Sequence, residues 1–172
     1  MNAILLILPI ILLRYGFMAF FGKNSMEKAN FFPPTLGKEQ TAYYIYQFTT
    51  LFLLIFPLFK QIHFETAVDL IGIIIYIIGA VLYMLSIIHF SKPETQGITT
   101  KGLYRFSRNP MYVAFFLYFL GCAILIHSIL YFSVLGVFQV SVHFLILSEE
   151  RWCLKEFGEQ YEDYMKKVRR YI

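Results

Sequence analysis

Long apolar runs separated by short basic segments dominate this chain. The runs are about 2–21, 42–59, 68–90 and an unbroken block from Pro110 to Leu147. A helix that crosses a bilayer needs about 20 mostly apolar residues at about 1.5 Å rise each. The first three runs fit one crossing apiece, with Arg14 interrupting the first. The fourth is long enough for two, so a turn near His127-Ser128 is expected to fold it into a helical hairpin. That turn has no Gly or Pro to fix it. The period changes after the hairpin. Leu154, Phe157, Tyr161, Tyr164, Val168 and Tyr171 recur at spacings of three and four, with Lys155, Glu156, Glu159, Glu162, Asp163, Lys166 and Lys167 between them. This is one apolar stripe on an otherwise charged helix, suited to lying on a membrane or on the bundle. Gly158 is expected to break or bend it after Phe157.

The pattern predicts an all-α polytopic membrane bundle of about five transmembrane helices plus a C-terminal amphipathic helix. One domain over 1–172 suffices. Residues 1–90 form a three-helix scaffold, and 91–172 form a loop, the hairpin and the tail helix. Composition agrees, since 58% of the 172 residues are hydrophobic and mean hydropathy is +0.60, against roughly 45–50% apolar in soluble domains. The N-terminal run lacks a preceding Lys or Arg and is expected to be a retained span rather than a signal peptide. Gly72, Gly79, Gly121 and Gly136 are expected to let helices approach closely. Phe31-Phe32-Pro33-Pro34 is expected to stop any helix in the first loop.

Charge sets the topology. The net charge is +4, and thirteen of the fifteen basic residues fall on one side of a five-crossing arrangement. They are Lys23, Lys28, Lys38, Lys92, Lys101, Arg105, Arg108, Arg151, Lys155, Lys166, Lys167, Arg169 and Arg170. By the positive-inside tendency the N-terminus is outside and the C-terminus cytoplasmic. The membrane is the cell membrane in a prokaryote or the endoplasmic reticulum in a eukaryote. The basic residues lie between apolar runs, so they are read as topology determinants, with membrane lipids and not nucleic acid as partners. Cys122 and Cys153 have no CxxC context, and His63, His89, His127 and His143 have no metal-ligand spacing, so neither a disulfide nor a metal site is expected. GxGxxG, GxSxG, HExxH and P-loop patterns are absent.

Polar residues at the ends of the hairpin carry the candidate chemistry. Pro110 suits the first turn of a helix, and Asn109 before it suits an N-cap. Such a helix start offers N–H groups and a positive dipole end to a carboxylate, and Arg108 would add a two-pronged guanidinium. Glu149-Glu150 are expected to end the fifth span, where acidic residues oppose the helix dipole unless paired or functional. Arg151, Arg105 and Arg108 are the available cations. About 100° separates neighbours on a helix, so only one of the two glutamates is expected to face a given site. His143 is an ionisable residue inside a span and is a functional candidate on that ground.

Taken together, Gly102-Leu103-Tyr104, Arg108-Asn109-Pro110-Met111-Tyr112, Glu149-Glu150 and Phe157-Gly158-x-x-Tyr161-x-x-Tyr164-x-x-x-Val168-x-Arg170 resemble the isoprenylcysteine carboxyl methyltransferase family and, more distantly, the phospholipid methyltransferases. The resemblance covers roughly 91–172. Asn109 stands where members often have His, and Ala114 where they often have Gly. The C-terminal extension of the eukaryotic members is not present after Tyr171-Ile172, which points away from a prenylcysteine acceptor. The resemblance implies an integral membrane S-adenosylmethionine-dependent methyltransferase, with the cofactor held between the hairpin, the loop before it and the tail. It further implies a lipophilic or small carboxylate, thiol or amine acceptor. On it, Gly102, Leu103, Tyr104, Arg108, Asn109, Pro110, Tyr112, His143, Glu149 and Glu150 are cofactor-binding candidates, and Arg108, Glu149, Glu150 and Arg170 are catalytic candidates. An NADPH-dependent membrane reductase of the steroid-reductase type and a non-enzymatic membrane protein are the alternatives.

Overall fold

The computed structural model describes residues 1–17, 33, 37–62, 64–91 and 97–172. Lys23, Lys28, His63, Lys92 and the Phe31-Phe32 and Pro34 expectations lie outside them. Among the described residues there are six α-helices and no strand: α1 (Leu8–Ile11), α2 (Lys38–Ile55), α3 (Ala67–Ser91), α4 (Pro110–Ile126), α5 (Ile129–Phe157) and α6 (Glu159–Lys167). Glu39–Phe59, Ala67–Ser91 and Ile129–Phe157 are long and apolar enough to cross a membrane, and Ala3–Gly16 and Pro110–Ile126 are shorter apolar segments. The chain is a helical membrane bundle.

The first run is not one regular helix. It passes from a 3-10 turn (Ala3–Leu6) through α1 into a π-helical stretch (Leu12–Phe17) that carries Arg14. Pro9 sits in the first turn of α1, where its missing N–H costs nothing.

The hairpin turns where the sequence splits it. α4 stops at Ile126, His127 takes a left-handed conformation (φ 52), and the Ser128 hydroxyl accepts from the Tyr131 N–H at 3.3 Å to start α5. His is among the residues that tolerate this backbone region. The His127 ring also bonds the buried Asp69 carboxylate, which accepts from Thr66 N–H at 2.8 Å at the start of α3. The turn is thereby pinned to the neighbouring helix.

Close approach joins α3 to α4. A Cβ on Gly79 would lie 2.4 Å from the Tyr118 backbone nitrogen, and one on Gly121 would lie 2.5 Å from that of Tyr76. A Cβ on Gly72 would come within 2.8 Å of the Ile124 side chain. Gly136 differs from the expectation: it is exposed, and a Cβ there meets nothing within 4 Å. The core between the helices is aromatic, with Tyr83, Tyr118, Phe119, Tyr131 and Phe138 fully buried. The Tyr131 hydroxyl donates to Leu53 O at 2.9 Å, and the Tyr118 hydroxyl donates to Leu6 O.

α5 runs further than the hydrophobic run implies. It continues unbroken through Glu149 and Glu150 to Phe157, so these glutamates are not at a helix C-terminus. At about 1.5 Å per residue its 29 residues extend about 43 Å, past a hydrocarbon core of about 30 Å. The chain then breaks at Gly158 (φ 53), a left-handed position that favours glycine, and α6 folds back with Tyr161 and Tyr164 buried.

Candidate functional site

The start of α4, the last third of α5 and the chain after α6 converge at one end of the bundle. Ser107 pairs with Arg169 in a parallel bridge, and the Arg108 N–H donates to Arg169 O at 2.9 Å. The tail thus lies alongside the loop that leads into α4. Pro110 opens that helix and Asn109 occupies the N-cap position, as expected. The Asn109 side chain does not cap, however. Its backbone lies at φ −129, ψ 52, and its amide donates to Arg170 O at 3.1 Å. The Ser107 hydroxyl accepts from the Asn109 N–H at 3.1 Å.

Glu150 is the centre of this junction. Arg108 donates to its Oε1 from Nε (3.0 Å) and Nη2 (2.7 Å). Arg170 donates to Oε1 and Oε2 from Nε (3.1 and 3.0 Å) and to Oε2 from Nη2 (2.7 Å). Arg108 also spends Nη1 on the carbonyls of Met165 (3.1 Å) and Val168 (2.7 Å), which closes the end of α6. The Glu150 hydrogen bonds raise the Arg170 guanidinium above its already high range. Two guanidinium charges on one buried carboxylate form a rigid, directional clamp.

Glu149 points elsewhere. Its Oε1 accepts from the Tyr112 hydroxyl at 2.6 Å, and among the described residues this is the one hydrogen bond to its side chain. Both glutamates are therefore engaged, each by a different element, as neighbours about 100° apart allow. One turn and a half earlier on α5, His143 Nδ1 shares a 2.8 Å hydrogen bond with the Tyr171 hydroxyl, and the two rings stack with centroids 6.2 Å apart. Tyr104 is buried under the tail, where its carbonyl accepts from the Tyr164 hydroxyl at 2.6 Å. Burial pushes its own phenol above the usual range. Gly102 lies over the His89 ring, where a Cβ would come within 2.4 Å, and the Leu103 N–H donates to His89 Nδ1 at 3.4 Å.

The residues singled out from sequence thus gather at one end of the bundle. Arg105 remains exposed, and Arg151 pairs with Glu39 on α2 (2.7 Å between Nη2 and Oε2) rather than with its neighbours. Ser107, His89 and Tyr171 were missed as site residues. Tyr171 was visible only as the last position of the tail stripe, and nothing in the spacing of His89 marks it.

A family model for phospholipid methyltransferases matches residues 68–160. The chain belongs to the phospholipid methyltransferase family. The matched stretch of this family member takes in α3, α4, α5 and the opening of α6, and with them Arg108, Tyr112, His143, Glu149 and Glu150. Two relatives are protein-S-isoprenylcysteine O-methyltransferases. The one from Schizosaccharomyces pombe is 36% identical over 75 residues, covering 41% of this chain and 30% of the relative. The one from Xenopus laevis is 32% identical over 127 residues, covering 66% of this chain and 42% of the relative. This family member therefore spans less than half the length of either.

Proposed function

We propose that this chain is an integral membrane methyltransferase that moves a methyl group from S-adenosylmethionine to a lipophilic acceptor held at the membrane edge. The observation that carries this reading is the Arg108–Glu150–Arg170 clamp, which draws the loop before α4, the shaft of α5 and the tail into one junction. The relatives' names add that similar chains methylate an S-isoprenylcysteine.

The residues present fit the donor. A sulfonium cation favours carboxylates and aromatic faces, and this end of the bundle supplies Glu149, Tyr112 and the stacked His143–Tyr171 pair. Among the described residues the buried Ser148 hydroxyl, next to Glu149, has no hydrogen-bond partner. When bound, the donor supplies an electrophilic methyl group. Glu149 and Tyr112 would hold its polar end, with Tyr104, Gly102 and Leu103 walling the side under the tail. Arg108, Asn109 and Arg170 would act by keeping that wall closed, since Glu150 and the tail carbonyls already take most of their donors. Pro110 starts α4 so that Tyr112 projects from its first turn toward α5. The chain's contribution is orientation in a space with little water.

Purified protein in nanodiscs would be heated with S-adenosylhomocysteine and, separately, with NADPH. The expected result is a higher melting temperature with S-adenosylhomocysteine alone. Stabilisation by NADPH alone would turn the assignment to a reductase, and no response to either would remove the cofactor reading.

A further inference from the structure

Gly102–Arg105 is a 3-10 turn, and the first N–H groups of such a turn have no partner inside it. Lys101, just before it, has no side-chain acceptor and makes no cap. An acceptor comes instead from 14 residues upstream. Nδ1 of His89, in the last turn of α3, accepts the Leu103 N–H at 3.4 Å. An amide N–H can only donate, so Nδ1 is the accepting nitrogen and the ring proton lies on Nε2. The ring also lies against the backbone of the turn. A Cβ on Gly102 would come within 2.4 Å of its Cγ and Cδ2, and the Gly102 backbone (φ 62) is one that favours glycine. The next residue of α3, Phe90, meets the Tyr104 ring with centroids 6.4 Å apart. From the other side, Tyr164 of α6 donates to Tyr104 O at 2.6 Å, and Arg108 N–H donates to Arg169 O at 2.9 Å. The loop is thus hung between α3 and the tail. Among the described residues, His89 is the α3 side chain that hydrogen-bonds it. α3 is itself fixed, because Gly79 and Gly121 bring it against α4.

We propose that His89 is a positioning residue for the methyl donor: it caps the Gly102–Arg105 turn from α3 and so holds Gly102, Leu103 and Tyr104 in the shape that receives the donor. This rests on the methyl-transfer reading above, which gives those three residues to the donor's wall. The ring takes no part in the transfer itself. Without its acceptor, the Leu103 N–H has to find water beside the buried Tyr104, and an unmet donor there favours opening of the turn. The contacts that pack α3 against α4 do not involve His89 and stay in place. The effect of losing the ring therefore falls on donor affinity rather than on global stability. Two amides separate the roles of the ring nitrogens. The Oδ1 of Asn stands as many bonds from the backbone as Nδ1 does, whereas the Gln amide reaches toward the place of Nε2.

The test uses the full chain in nanodiscs, with two readouts beside a melting curve: S-adenosylhomocysteine affinity, and hydrogen exchange of the peptide covering residues 102–107 without ligand. His89→Leu is expected to weaken S-adenosylhomocysteine about tenfold, the scale of a lost cap. It should also speed exchange in 102–107 and leave the melting temperature near that of the wild type. His89→Asn should restore both affinity and protection, and His89→Gln should not. Wild-type affinity in His89→Leu would overturn the proposal. So would rescue by Gln but not by Asn, which would move the role to Nε2, or equal losses of affinity and melting temperature in all three variants, which would leave His89 a packing residue. If the wild type binds no S-adenosylhomocysteine, the donor reading falls on its own, and the exchange of 102–107 alone decides whether His89 caps the turn.

Discussion

Nη2 of Arg108 lies 2.7 Å from Oε1 of Glu150, across 42 residues of chain, with both side chains buried. Removing one partner of such a pair strands the other in a poorly solvated place, which costs more than the pair itself contributes. Glu150→Gln leaves two guanidinium groups facing one neutral amide. Arg170 is about one-third exposed and can recover water, so the penalty is less than for a fully buried triad. The expected loss is about 2–4 kcal/mol in unfolding free energy, read by thermal or denaturant unfolding in detergent. A melting temperature equal to wild type would show that the clamp is not structural.

Tyr112→Phe removes the donor to Glu149 and no apolar volume. A hydrogen bond to a charged group contributes about 1.5–3 kcal/mol. If that bond positions Glu149, methyl transfer should slow by about tenfold or more. The check is initial rate with labelled donor beside an unfolding curve. Full activity would remove Tyr112 from the site.

Asn109 separates two roles. Were it a side-chain cap, Asn109→Ser would be nearly silent, because Ser caps about as well. The structure instead commits its amide to Arg170 O. Both Asn109→Ala and Asn109→Ser should therefore loosen the tail and speed tryptic cutting at Lys166, Lys167 and Arg169. Limited proteolysis followed by mass spectrometry reads this. Protection in the Ser variant would restore the capping role.

The glycines divide by contact. Gly79→Ala and Gly121→Ala place a methyl group against backbone atoms that cannot swing aside. Each is expected to cost about 1–3 kcal/mol. Gly136→Ala meets open space on a helix and should be neutral or stabilising by up to about 1 kcal/mol. Comparing the three unfolding curves in one detergent tests the helix packing directly.

Much of the architecture was legible because bilayer-length apolar runs admit few alternatives. The His127-Ser128 turn, the Pro110 start and the Gly158 break all fell where local chemistry put them. The end of the fifth helix did not, because hydropathy reports where the oil stops and not where the hydrogen-bond ladder stops. Glu149 and Glu150 therefore read as terminal although α5 continues to Phe157. Pairing was the least legible layer. Arg108, Glu150 and Arg170 each stood out as misplaced polar residues, but only the return of the tail alongside Ser107 brings them into register. Arg14 read as an interruption because two of the phenols that act on it, Tyr46 and Tyr83, come from segments distant in sequence.

The bridge between Ser107 and Arg169 imposes an order on biogenesis. Residues 165–170 leave the ribosome after every hydrophobic rod has been made, and the junction needs their carbonyls and the Arg170 guanidinium. The apolar rods are therefore synthesised before the junction can assemble. A nascent chain halted before Met165 would carry every apolar rod and lack the junction.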